Sequence, residues 1–277
     1  MLRQALVVAS AAVGALAGFS ADAAGIGQAP KSYYLALGDS IAYGIQPDKA
    51  DRGVPPSGYR TGYVDVFAQR LRHVTPNIEV VNYSCPGEST VSFVRGGCPW
   101  RSEGKKLHDP YRGTQMSAAL AFLAAHRGRV SPITLHLWGN DIDPVAEACK
   151  GDFACIEKRA PAAIAHISSR LGDILRRLHA AAPNAEIIVN GVWNFNTDDL
   201  PGTDPLFRSL DRAIRRAAVG AGARFAELFP LFNPHGSVAR EKARVCSYVF
   251  ICTRDDPHPT DAGYRAIAGA VWQASGY

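Results

Sequence analysis

The 277 residues, 47% of them hydrophobic and 20% charged, supply enough apolar side chains for one well-buried core and exclude a disordered chain. The formal charge is +5, yet the basic residues are scattered over predicted helix faces, as in Arg170, Arg176, Arg177, Arg212, Arg215 and Arg216. Without one clustered basic face interleaved with aromatics, a nucleic-acid partner is not expected.

The chain opens on a short basic start, Met1-Leu2-Arg3, followed by an uncharged run from Ala5 to Phe19 and the small residues Ala21-Asp22-Ala23. That order is read as a signal peptide over residues 1–23, cut before Ala24, with a secreted (extracellular or periplasmic) destination. The run falls short of the roughly 20 apolar residues that span a bilayer, so stable membrane insertion is not expected. Residues 24–277 are read as a single domain and a monomer.

Apolar runs then alternate with helix-period segments, the pattern of an α/β chain with a parallel sheet wrapped by helices. Strands are expected at Tyr33 to Leu37, Ile78 to Tyr83, Ile133 to Leu137, Glu186 to Asn190 and Arg224 to Glu227. Tyr63, Val64, Phe67, Leu71 and Val74 recur at helical spacing, as do Ile164, Ile167, Leu171, Ile174, Leu175 and Leu178. A further helix is expected to start with Asp204 as cap and Pro205 in the first turn, and the last with Thr260-Asp261. Gln46 to Tyr59 and Ser92 to Gln115, rich in Gly, Pro and charge, read as irregular loops.

Six cysteines form three local clusters. Local closure gives Cys85–Cys98, Cys149–Cys155 and Cys246–Cys252, a disulfide set suited to an oxidising compartment. No CxxC pair or close Cys/His cluster supports zinc.

Four short stretches carry the chemistry: Gly38-Asp39-Ser40, Cys85-Pro86-Gly87-Glu88, Gly139-Asn140-Asp141 and Asp255-Asp256-Pro257-His258-Pro259. Ser40 closes the first strand, where open α/β sheets gather their sites. A serine hydroxyl is inert at neutral pH without a base, and His258 is the candidate base. An imidazole needs a partner on its other nitrogen. The spacing favours Asp255, three residues earlier, although Asp256 is equally able to orient the ring. Asn140 ends the third strand, and its side-chain amide joins the N–H groups of Ser40 and Gly87 as candidate oxyanion donors. His136 reads as a buried core histidine, and His235 as a loop residue and the best rival base. His73, His126, His166 and His179 read as helix-surface residues and His108 as a loop residue.

These stretches, in this order, resemble the SGNH, or GDSL-type, hydrolase family. Tyr34 to Ser40 is similar to its first block, with Ile41 where leucine is usual. Gly87 is similar to the second block, Asn140-Asp141 to the third, and Asp255 to His258, with Pro259 and Gly263-Tyr264, to the last. The resemblance implies a three-layer, flavodoxin-like α/β/α sandwich on the five predicted strands. It also implies hydrolysis of esters, thioesters or sugar acyl groups through an acyl-enzyme, without metal or cofactor. Ser40, His258 and Asp255 would be catalytic, with Ser40, Gly87 and Asn140 as the oxyanion hole. Trp138 departs from the family, standing where the third block usually has glycine; it either lines an acyl pocket or packs beneath the sheet. Trp100, Trp138 and Trp193, if exposed near the site, suit a lipid, an aryl ester or a sugar. Clustered disulfides and a secretion signal are similar to the actinobacterial lipase and esterase branch.

Two other classes compete. A metal-dependent phosphodiesterase would use Asp39, Asp141, Asp255 and His258, but leaves Ser40 and Asn140 without roles. A silent carbohydrate- or wall-binding relative would have no use for the intact serine, acid and imidazole.

Overall fold

The computed structural model describes residues 29–277, and the expected signal peptide lies outside the described residues. Five strands, β1 (Tyr33–Gly38), β2 (Glu79–Asn82), β3 (Val130–His136), β4 (Ile187–Asn190) and β5 (Arg224–Ala226), form one all-parallel sheet in the order β2-β1-β3-β4-β5. The interior strands are buried along nearly their whole length, whereas β2 and β5 at the edges are partly exposed. That is why β1, β3 and β4 read as continuous apolar runs rather than alternating ones.

The helix Tyr63–Val74 buries Tyr63, Val64, Phe67, Ala68 and Leu71 and packs against the closing helix Asp261–Ala274 on one face of the sheet. Gln115–Ala125, Phe153–Ala181 and Leu200–Gly220 pack together on the other, completing the α/β/α sandwich. In this strand order the chain reverses direction between β1 and β3, and the crevice at their carboxyl ends is where open α/β sheets bind ligands.

Three sequence expectations need correction. The helix over 200–220 starts four residues before the expected cap. Asp199 caps it by accepting from the Gly202 N–H at 3.0 Å, while Asp204 accepts instead from Asn194 Nδ2 at 2.8 Å. β3 begins three residues earlier than its apolar run, at Val130. The two segments read as loops contain the short helices Pro47–Asp51 and Pro99–Ser102 and a 3-10 turn at Pro56–Tyr59, and the second starts inside the helix Thr90–Arg95. They collapse around a satellite core of Tyr43, Ile45, Tyr59, Cys85, Cys98 and Leu107 that sits beside the segment following Ser40. All six cysteines pair locally as expected, with Cα–Cα separations of 6.3 Å (Cys85–Cys98), 5.6 Å (Cys149–Cys155) and 5.3 Å (Cys246–Cys252).

Candidate active site

Ser40 opens a four-residue helix directly after β1. Asp39 caps that helix, accepting from the Ile41 N–H at 2.9 Å, and leaves Ser40 half-buried at the strand end. The entry to this turn demands glycine. Gly38 has φ +130°, and a Cβ there would stand 2.0 Å from the His136 carbonyl oxygen of β3.

Asp39 itself is buried and paired. Its carboxylate oxygens lie 3.0 and 3.1 Å from His136 Nδ1, and Trp138 Nε1–H donates to His136 Nε2 at 3.1 Å. Because an indole only donates, Nε2 is the acceptor and the ring proton sits on Nδ1, pointing at Asp39. The expectation of a satisfied core histidine at 136 therefore holds. Trp138 and Trp193 are 4% and 2% exposed and meet edge to face, with ring centroids 5.9 Å apart. Neither indole is an exposed platform for substrate. Trp138 caps a core histidine, which accounts for its departure from the usual glycine, and only Trp100 of the three is half exposed.

The second element is the turn Cys85–Glu88. Cys85 N–H donates to the Gly38 carbonyl at 2.9 Å, which ties the turn to the end of β1, and the disulfide to Cys98 closes it. Gly87 sits at φ +82°, a left-handed conformation that side chains rarely adopt. Gln115 braces the arrangement from below: it accepts from Gly38 N–H at 2.6 Å and donates to Gly38 O at 2.9 Å and Glu88 Oε2 at 3.0 Å. Burial pushes the Glu88 carboxyl up to about 7.

Asn140 lies in the first turn of the helix Gly139–Ala148, just after β3, and donates from Nδ2 to the Glu88 carbonyl at 2.8 Å. Its neighbour Asp141 accepts from the Thr90 N–H at 2.8 Å and the Thr90 hydroxyl at 2.5 Å. Two successive residues after β3 thus clamp the segment that follows Gly87. Among the described residues, the N–H groups of Ser40 and Gly87 have no hydrogen-bond acceptor.

His258 lies in the turn before the closing helix. Its Nδ1 is 2.7 Å from Asp256 Oδ1, which also accepts from the His258 backbone N–H at 2.8 Å. The expected partner, Asp255, is not the one the fold supplies. Asp255 ends the helix Ile251–Arg254 in a left-handed conformation, φ +51°, and is exposed without a side-chain hydrogen bond among the described residues. Partial burial works against ionisation of Asp256, but the hydrogen bonds and charge of His258 outweigh it and hold the carboxyl below its usual value. Two bonds tie this turn to the Ser40 segment: Tyr264 OH donates to the Ile45 carbonyl at 2.6 Å, and Gln46 Nε2 to Asp261 Oδ1 at 2.7 Å.

The alternatives fare worse. His235 is exposed in a loop away from these ties. The carboxylates wanted for a metal cage are committed to protein donors, Asp39 to His136 and Ile41 and Asp141 to Thr90. The one cluster with ligand spacing among the described residues, Cys85, Glu88 and Cys98, has both sulfurs in a disulfide. Asp256 and Gln115 are the residues that sequence reasoning passed over or ranked second. Asp256 was visible as a candidate; nothing in the sequence marked Gln115.

Residues 36–266 match the GDSL-like Lipase/Acylhydrolase family. Among solved structures, the chain is similar to phospholipase A1 from Streptomyces albidoflavus NA297, at 17% identity and TM-score 0.59, over 88% of this chain and 100% of that one. It is similar to the extracellular lipase of Streptomyces rimosus, at 15% identity and TM-score 0.59, over the same shares. An acetyl-xylooligosaccharide esterase from Geobacillus aligns at 16% identity and TM-score 0.51, over 91% of this chain and 96% of that one. No curated protein matches.

Proposed function

The chain belongs to the GDSL-like lipase/acylhydrolase family, a family of carboxylic ester hydrolases, and on that premise we propose that it cleaves esters through an acyl-enzyme on Ser40. His258 Nε2 takes the hydroxyl proton as Ser40 Oγ attacks the acyl carbonyl carbon. The resulting oxyanion is held by the N–H groups of Ser40 and Gly87 and by the free Nδ2 proton of Asn140. Collapse expels the alcohol, which receives the proton from His258. Water, deprotonated by the same imidazole, then attacks the acyl carbon; the acyl–Oγ bond breaks, His258 returns the proton to Ser40 Oγ, and the acid leaves. Asp256 holds the ring with Nδ1 protonated and stabilises the imidazolium.

What supports this reading most is that the three donors come from three segments linked to one another: Cys85 to Gly38, and Asn140 to Glu88. A preorganised cradle of this kind costs no reorganisation at the moment of reaction. The substrate class is a lipid, aryl or acyl-sugar ester. Residues 24–277 act as one exported domain after loss of the signal peptide, which the first residue of protein recovered outside the cell checks; three disulfides favour that compartment. The reaction is tested with Ser40→Ala. It should lower p-nitrophenyl butyrate turnover by about 1000-fold or more and abolish labelling by a fluorophosphonate. Near wild-type turnover by the folded variant would remove Ser40 from the mechanism.

A further inference from the structure

Resting on that reaction, we infer that a cavity of about 610 Å³ beside the site is the acyl pocket, and that it selects neutral acyl chains of medium to long length over acetate. Its position carries the argument first. One wall is the helix Gly139–Ala148, where Ile142 and Ala146 stand one turn apart, just beyond Asn140. Ile251 and Asp255, at the two ends of the short helix that leads to the His258 turn, line it as well. The Asp143 carboxylate on the first wall is within Coulombic reach of the His258 imidazole. Two of the elements that frame the pocket are therefore neighbours of the candidate oxyanion donor and the candidate base.

Its lining carries the argument further. Ile156, Phe195, Leu206 and Phe207 also line it, and each is only half-buried: Phe195, Leu206 and Phe207 pack against the core and still leave apolar surface toward the cavity. The Phe195 and Phe207 rings meet edge to face at 5.3 Å. Covering such surface with methylenes is favourable, at about fourfold in equilibrium per methylene buried. The charges lining the pocket are three carboxylates, Asp143, Asp198 and Asp255, against Lys242 alone. That balance admits a neutral chain, repels one ending in a carboxylate, and helps expel the acid product. Two disulfides hold the walls: Cys149–Cys155 joins the helix of Ala146 to that of Ile156, and Cys246–Cys252 fixes the segment of Ile251. A stapled pocket has a definite depth, so the chain-length profile should end sharply.

The test is kcat/KM for p-nitrophenyl esters from acetate to laurate, with the full-length secreted protein and the variants Ala146→Phe and Phe207→Ala. The wild type should gain about three- to fourfold per added methylene until the pocket is filled. A suberate half-ester should react at least tenfold more slowly than the octanoate. Ala146→Phe should lower the octanoate-to-acetate ratio tenfold or more, and Phe207→Ala should move the optimum to longer chains. A wild-type profile that is flat or peaks at acetate would overturn the pocket while leaving the serine reaction standing. So would an unchanged ratio in both variants. Absence of turnover on every ester, with no fluorophosphonate adduct, would overturn the underlying reaction as well.

Discussion

Two aspartate–histidine pairs stand out in this protein, one built on the residue before Ser40 and the other in the turn that precedes the closing helix, and they differ at one nitrogen. Asp39–His136 is buried, with side chains 3% and 1% exposed, and Trp138 occupies the second ring nitrogen. Asp256–His258 is 25% and 21% exposed, and its second nitrogen is free of any partner among the described residues. The same chemical pair is a structural brace in one place and, in the proposed mechanism, the base in the other. The unpartnered Nε2 of His258 makes the difference, more than the carboxylate does.

The sharpest way to break that comparison is to exchange the two histidines for glutamine. His258→Gln should lower kcat about 1000-fold with little change in thermal stability, because a half-exposed turn loses one hydrogen bond. His136→Gln should do the reverse in kind: a loss of stability of about 2–4 kcal/mol in urea denaturation, since a buried carboxylate loses its partner. Equal kinetic losses in the folded variants would erase the distinction. The next effect is smaller and separates two neighbours. Asp256→Asn should cost roughly 100-fold in kcat by releasing the His258 ring, while Asp255→Asn should cost less than about threefold by the same measure. Parity between the two, or the opposite order, would return the orienting role to Asp255.

The smallest effect sharpens the comparison with a buried acid that has no imidazole at all. Glu88 accepts from Gln115 but leaves Oε1 without a partner. Burial raises its carboxyl from 4.5 to about 7 in the folded protein. Between those values the folded state holds a proton that the unfolded state has lost, so this group's contribution to stability falls as pH rises through that window. Replacing it with glutamine removes the titration. Glu88→Gln should therefore gain stability relative to wild type from pH 5 to pH 8, by roughly 1–3 kcal/mol, read as the pH dependence of the urea midpoint. A difference that stays constant with pH would mean that Glu88 is ionised throughout.

Much of this molecule can be read along the chain. The five strands, the apolar stripes of the helices and the three cysteine pairs follow from local spacing. Ser40, Gly87 and Asn140 could be picked out because each follows an apolar run, and parallel sheets collect their loops at the strands' carboxyl ends. The start of the Leu200–Gly220 helix was misplaced because Asp199 and Asp204 are both good caps. Asn194, ten residues before Asp204, claims that carboxylate and breaks the tie. The two Gly-, Pro- and charge-rich segments expected to be irregular fold because Tyr43, Tyr59 and Leu107 find one another across the chain.

The sequence by itself determined the α/β architecture and the residue types at the site, because side-chain periodicity and strand-end glycines act over a few residues. The tertiary structure alone decided which carboxylate holds which imidazole. Asp255 and Asp256 are adjacent and chemically alike, and the left-handed backbone at Asp255 leaves the bond to Asp256. The Asp39–His136–Trp138 brace joins residues almost a hundred positions apart, and a hydrogen bond needs its partners within about 3 Å. Local pattern carries no information about that approach; only the packing of β1 against β3 supplies it.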